Sequence, residues 1–134
     1  MKRSVWAIVV GVLFVVVLTT GVDIVLHATG VFGPWAEPMD QADAVLALSY
    51  RIVISVAGAW LTARLAPGSP MKHAMALGLV GVVLATFGAV ATWNLGLGPR
   101  WYPVSLIVCA IPQCWVGGRI YQSRLTTAMT PPAV

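Results

Sequence analysis

The 134-residue chain is 59% hydrophobic and only 9% charged, with a mean hydropathy of +0.89. Soluble domains contain about 25% charged residues, so this composition excludes an ordinary soluble protein and predicts one that resides in the lipid bilayer. The net charge is +4, but the basic residues are scattered singly and form no patch, which argues against nucleic-acid binding.

Four apolar segments are long enough to cross a membrane. A helix needs about 20 mostly apolar residues to span a hydrocarbon core of about 30 Å. We predict spans at about 4–28, 44–66, 71–94 and 103–122, within a single transmembrane domain. Because lipid offers no partner to backbone amides, each span is expected to be helical. The predicted fold is therefore an all-α integral membrane four-helix bundle with short loops.

The first span follows a basic start, Met1-Lys2-Arg3, as a signal peptide does. No small-x-small cleavage site follows Leu18, and apolar residues resume through Ala28. This continuation predicts an uncleaved signal anchor.

The joints between spans carry helix-start signals. Asp40 and Asp43 precede the second span and can cap it, and Ser69 precedes the third span with Pro70 in the first turn. In the fourth span, Gly117 and Gly118 are expected to loosen the helix.

Orientation is predicted from basic residues in short loops, which concentrate on the cytoplasmic side. Six of them flank the predicted spans on one side: Lys2, Arg3, Arg64, Lys72, Arg119 and Arg124. The other side carries Arg100 together with Glu37, Asp40 and Asp43. We therefore predict that both termini are cytoplasmic, in the bacterial inner membrane.

Small residues recur every three or four positions along the third span, which places them on one helix face. They are Ala74, Gly78, Gly81, Ala85, Gly88 and Thr92. Ser55 and Gly58 of the second span share a face with Arg51. Small faces let helices approach closely in lipid, so both are predicted packing surfaces.

Two ionisable residues fall inside predicted spans, where a charge is costly and suggests function. At 1.5 Å per residue, Asp23 lies about 10 Å inward from Gly30, and Arg51 lies about 12 Å inward from Asp43. Both are measured from the same membrane face, so we expect an ion pair, with Tyr50 or Gln113 as further hydrogen-bonding partners. The candidate polar site consists of Asp23, Arg51, His27 and Thr20.

Three interpretations of this site remain open. The pair could be a structural clamp between two spans, a site for a substrate, ion or proton, or an arginine that snorkels to headgroups. A closed and fully paired arrangement would favour the clamp. A pair that borders an open vestibule would favour transport.

No cofactor or metal is expected. His27 and His73 lie near opposite membrane faces and cannot ligate one haem iron, and Cys109 and Cys114 have neither disulfide nor metal-site spacing. No nucleophile is accompanied by a base, so we expect no enzyme.

The outer loop Gly98-Pro99-Arg100-Trp101-Tyr102-Pro103 and the later Trp115-Val116-Gly117-Gly118 resemble small four-transmembrane-helix bacterial inner-membrane proteins, a group with no assigned activity. The leading hypothesis is a non-enzymatic structural or accessory subunit that acts through helix packing, as a homo-oligomer or in a larger membrane complex. The alternative is a small oligomeric transporter or channel with a polar site in the outer half of the bundle.

Overall fold

The computed structural model describes residues 2–129 and contains four helices. They are α1 (Lys2–Ala28), α2 (Gln41–Leu65), α3 (Pro70–Thr92) and α4 (Trp101–Met129). Each is long and apolar enough to cross a membrane. The predicted all-α four-helix bundle is confirmed. The last helix passes residue 122, because neither glycine nor proline follows Gly118 in the described part of the chain.

Consecutive helices run in opposite directions, which gives the bundle two distinct ends. The loop end carries the α1–α2 and α3–α4 connections, and the terminal end carries the α2–α3 turn, the start of α1 and the end of α4. Helices α1 and α4 each pack on α2 and α3. Across the described residues no Cα atom of α1 lies within 8 Å of one in α4, so these two helices occupy opposite corners.

The starts of α2 and α3 use different devices. Asp40 caps α2, because its Oδ1 accepts a hydrogen bond of 2.8 Å from the backbone N–H of Asp43. Ser69 precedes α3 in the left-handed region, with φ of 47°, and its side chain makes no capping hydrogen bond. Its carbonyl instead accepts from the backbone N–H of Lys72 at 3.0 Å. Pro70 takes the first turn, as expected.

The terminal half of the bundle is closely packed because glycines face neighbouring helices. A Cβ added to Gly117 would lie 2.7 Å from the Cβ of Ala59, and one added to Gly11 would overlap the hydroxyl of Thr62. The helix α4 continues through Gly117 and Gly118 without a break, so this pair allows close approach instead of loosening the helix. The buried cluster in this half comprises Ala59, Ala63, Ala74, Leu77 and Cys114.

The stripe of small residues on α3 has two different environments. At Gly78 an added Cβ would lie 3.1 Å from the Cβ of Cys114, and at Gly81 it would lie 3.6 Å from the Cβ of Ala110. At Gly88, nearer the loop end, it would meet nothing within 4 Å. The same stripe therefore packs against α4 in the terminal half and borders open space beyond it.

Hydrogen bonds join the two connections at the loop end. The backbone N–H of Met39 donates to the carbonyl of Leu97 at 2.8 Å, and Trp101 Nε1 donates to Gln41 Oε1 at 2.7 Å. Gly98, with φ of 159°, lies against Met39, where an added Cβ would come within 3.1 Å of the backbone oxygen. These contacts hold the start of α4 beside the start of α2.

Candidate functional site

Asp23 of α1 and Arg51 of α2 form an ion pair in the loop-end half. Arg51 Nη2 donates to Asp23 Oδ2 at 2.5 Å, and the Tyr50 hydroxyl donates to Asp23 Oδ1. Both carboxylate oxygens are therefore occupied. The side chains of Arg51 and Asp23 are 30% and 20% exposed. Such partial burial strengthens the pair relative to one on a protein surface.

The local helix geometry explains why two neighbouring residues reach the same carboxylate. Successive side chains on a helix diverge by about 100°, so Tyr50 and Arg51 approach Asp23 from different sides. The carboxylate thus receives one neutral and one charged donor. Hydrogen bonds to a charged group are stronger than neutral ones, and this arrangement fixes α1 against α2.

His27 lies beside the pair without joining it. Its Nδ1 is 2.8 Å from the backbone carbonyl oxygen of Asp23, and a carbonyl only accepts, so Nδ1 donates. The ring stacks on Trp35 with 3.6 Å between centroids and meets Phe32 edge-on. His27 therefore joins the end of α1 to the connection that follows it. Among the described contacts, none links its side chain to the guanidinium of Arg51.

Thr20 also lies outside the cluster, because it is exposed. Its neighbour Thr19 is buried and continues the face of Gly11 and Val15 at four-residue spacing. The Thr19 hydroxyl donates to the carbonyl of Val15 at 2.7 Å. The structure thus brings Asp23, Arg51 and Tyr50 together, but neither Thr20 nor the imidazole of His27.

Arg51 lines a cavity of about 710 Å³ in the loop-end half of the bundle. All four helices contribute to its wall, including Val16 and Thr19 of α1, Gly88 of α3 and Leu106 of α4. Small-molecule sites in proteins commonly measure about 300–1,000 Å³ and are lined mainly by apolar groups with a few polar ones. We call this space the Arg51 cavity.

The Arg51 cavity has an apolar wall and a polar rim. Valines, leucines and alanines from α1, α3 and α4 form its apolar part, and Ser55 and Gln113 line it on the side of the terminal half. Trp93, Asn94 and Arg100 lie at the loop end. Sequence reasoning did not include Arg100 or Tyr102 in the site. The sequence did mark Arg100 in one respect, since it is the one basic residue in the two connections at the loop end.

The cavity wall carries one uncompensated positive charge, that of Arg100, because Asp23 balances the charge of Arg51. Arg51 and Arg100 line it, and no carboxylate does so among the described residues. The guanidinium carbon of Arg100 lies 5.9 Å from the ring centroid of Trp93, and no ion pair involves Arg100 within residues 2–129. Cation–π contact leaves the hydrogen-bond donors of Arg100 available.

Two polar atoms next to the cavity lack partners. Arg51 Nε and the Tyr102 hydroxyl are buried, and neither makes a hydrogen bond within the described chain. Both belong to side chains that line the Arg51 cavity. An unsatisfied buried donor costs about 1–3 kcal/mol, and most such groups in proteins are paired, so these two mark a place where an acceptor would be stabilised.

Several residues that line the cavity are also exposed. Val16 of α1 and Leu84 of α3 both line it, yet they are 49% and 53% exposed. Leu97 at the loop end is 54% exposed. The exposure of Val16 and Leu84 indicates an opening between α1 and α3, and that of Leu97 indicates one at the loop end.

Other candidate chemistry in the described chain is limited. Cys109 is half-buried, Cys114 is buried, and both are free thiols. No group of three or more His, Cys, Asp or Glu side chains in residues 2–129 could hold a metal ion.

Comparison of the chain with family models, with curated proteins and with solved structures finds no match.

Proposed function

We propose that this multi-pass membrane protein binds a ligand in the Arg51 cavity, as the small-transporter hypothesis requires. One observation carries the proposal: the Asp23–Arg51 pair borders an open cavity of about 710 Å³. A clamp that only registers two helices has no need of such a space. The described residues therefore support the ligand site over the role of a purely structural subunit.

The polar groups around the cavity suit binding more than catalysis. Arg100 and Tyr102 offer hydrogen-bond donors, which hold and orient an acceptor. The carboxylate of Asp23 is occupied by Tyr50 and Arg51 and is a poor candidate for a general base. We accordingly propose a non-enzymatic role, in which the ion pair positions Arg51 at the cavity wall.

For orientation, we propose that the terminal end is cytoplasmic and that the cavity opens to the outer face. The terminal end holds six basic residues and no acidic ones among the described residues: Lys2, Arg3, Arg64, Lys72, Arg119 and Arg124. The connections at the loop end hold Arg100 with Glu37 and Asp40. Short cytoplasmic loops are enriched in lysine and arginine, which supports this orientation in a bacterial inner membrane.

Transport through the cavity would require a second copy or a partner subunit. The terminal half is closed by glycine contacts such as that between Gly117 and Ala59, so a single chain offers no continuous path. We therefore also propose that the protein works in the inner membrane as an oligomer or together with a partner subunit, as the sequence suggested.

Cysteine accessibility tests the proposed site. In a background with Cys109→Ala and Cys114→Ala, Leu106→Cys should react with a membrane-impermeant thiol reagent added from the loop end, because Leu106 lines the cavity. Val108→Cys is the matched control, since Val108 lies on the same helix and is 65% exposed outside the cavity. A thiol that faces lipid does not ionise and should stay unreacted.

The contrast between the two positions decides the result. Faster labelling of Leu106→Cys than of Val108→Cys supports an accessible cavity. Equal inertness of the two variants would contradict the proposal, because the space would then be closed to polar molecules.

A further inference from the structure

We propose that the ligand of the Arg51 cavity is a single-chain amphiphile with an oxyanion head, such as an alkyl phosphate or a fatty acid. The inference rests on the proposed function and specifies its ligand. The head binds at the polar rim near Arg51, Tyr102 and Arg100, and the alkyl chain follows the apolar wall toward α3.

The rim selects an anionic head. Of the two charged side chains in the described lining, Arg51 is paired with Asp23, and Arg100 supplies the uncompensated positive charge. Arg100 has no carboxylate partner within residues 2–129, and the Tyr102 hydroxyl lacks an acceptor. Guanidinium and hydroxyl groups together supply donors to phosphate or carboxylate oxygens. A neutral head would leave the charge of Arg100 without a partner.

The wall selects an alkyl chain. On α3 the lining runs from Gly81 to Thr92, which are 11 residues apart, or about 17 Å along the helix. Small residues on this stretch leave a groove, because an added Cβ at Gly88 would meet nothing within 4 Å. Valines and leucines on the opposite side complete an apolar channel. Such a wall keeps the methylene groups of an alkyl chain out of water.

The opening between α1 and α3 fits a ligand that arrives from the bilayer. Val16 and Leu84 border this opening and are both apolar and about half exposed. Gly11 meets Leu77 further toward the terminal end, where α1 and α3 come together. The gap between α1 and α3 therefore widens toward the loop end. An alkyl chain can enter through this gap from the bilayer while its head stays at the polar rim.

Protection of the Leu106→Cys thiol tests the ligand class. Vesicles that contain the protein are labelled from the loop end in the presence of dodecyl phosphate, dodecanoate, dodecanol or inorganic phosphate. Ala36→Cys, in the exposed α1–α2 connection, is the control for effects on the reagent or the bilayer. Protection of Leu106→Cys, but not of Ala36→Cys, by either anionic amphiphile supports the inference.

Comparison of the four probes separates the head from the chain. Protection by dodecyl phosphate but not dodecanoate identifies a phosphate head, and the reverse identifies a carboxylate. Equal protection by dodecanol overturns the anionic head. Protection by inorganic phosphate at a similar concentration overturns the alkyl chain. If Leu106→Cys is labelled and no amphiphile protects it, the inference fails while the proposed cavity stands. If Leu106→Cys is not labelled even without an amphiphile, the accessible cavity itself is absent and the proposed function is contradicted.

Matched arginine variants localise the head. Arg100→Gln should raise the concentration of anionic amphiphile for half-protection about tenfold, because a charged hydrogen-bonding partner is lost. Arg64→Gln is the control, since Arg64 also lies over a tryptophan ring, at 5.4 Å from Trp60, but at the terminal end. An equal effect of both substitutions, or none from Arg100→Gln, would overturn the placement of the head.

Discussion

Replacing either member of the Asp23–Arg51 pair alone should lower the free energy of unfolding. Replacing the second member as well should lower it by less than that second substitution does alone. Breaking a fully buried pair costs about 3–5 kcal/mol, whereas hydrogen bonds between membrane helices average about 0.6 kcal/mol. These side chains are 20–30% exposed and joined at 2.5 Å, so an intermediate value applies. We expect Arg51→Gln to lower the free energy of unfolding by about 2 kcal/mol.

Asp23→Asn should be the more damaging substitution, at about 3 kcal/mol. It leaves the guanidinium of Arg51 without a counterion, and arginine cannot become neutral by losing its proton. In Arg51→Gln the carboxylate keeps the hydrogen bond from Tyr50 and can be neutralised by taking up a proton. The double variant should cost about 3 kcal/mol instead of the additive 5, which is a coupling of about 2 kcal/mol.

Reversible unfolding in mixed micelles of a mild detergent and dodecyl sulfate measures these differences. Tyr50→Phe provides an internal comparison, with an expected loss of about 1 kcal/mol for one hydrogen bond. Additive effects of Asp23→Asn and Arg51→Gln would refute the reasoning, because the two side chains would then not stabilise each other.

Three further predictions concern topology, packing and the unpaired hydroxyl. Reporters fused after Arg124 should be active in the cytoplasm and those inserted at Glu37 outside. Gly117→Leu should lower the melting temperature sharply, because its Cβ would crowd Ala59, whereas Gly88→Leu should be tolerated as it extends into open space. Tyr102→Phe should leave unfolding stability unchanged or raise it by up to about 1 kcal/mol, because the buried hydroxyl has no partner in the described chain.

Distinct outcomes would contradict each of the three. A periplasmic reporter signal after Arg124 would reverse the proposed orientation. Equal sensitivity at Gly117 and Gly88 in thermal unfolding would show that the loop-end half is packed like the terminal half. A loss of more than about 1 kcal/mol on Tyr102→Phe would show that the hydroxyl does bond within the protein.

Helix number was predictable because it depends on local composition. Runs of about 20 apolar residues suffice to identify spans, and the four helices of the structure correspond to the four runs. The common level of Asp23 and Arg51 followed from the helical rise alone. Capping by Asp40 also followed from local chemistry, whereas Ser69 took a left-handed backbone that its sequence did not indicate.

The placement of individual side chains around the helix was harder to predict. Thr20 and Thr19 are adjacent, and the sequence offered no basis for choosing which one faces the bundle until the packing partners of α1 were known. Gly11 settles the face, because it meets Thr62 of α2, and Thr19 lies two four-residue steps further along the same side. A small residue at a close helix contact is a tertiary property.

The Arg51 cavity could not be derived from any single span. Its existence depends on the separation of α1 and α4, whose backbones lie at opposite corners of the described bundle. The small stripe of α3 looked like one packing surface, but only its terminal half finds a partner, at Ala110 and Cys114. Composition along a helix reports what can pack closely, and the neighbour's position decides whether it does.

The ion pair between Asp23 and Arg51 both holds α1 against α2 and places Arg51 at the wall of the cavity. Asp23 ties α1 to α2, and this contact lies in the same half of the bundle as the opening between α1 and α3. If the tie is lost, α1 is free to move toward α4 and reduce the space between them. Arg51→Gln, in protein that remains folded, should therefore change the labelling rate of Leu106→Cys while leaving that of Ala36→Cys unaltered. An unchanged rate at Leu106→Cys would show that the cavity is maintained without the ion pair, by the glycine contacts of the terminal half.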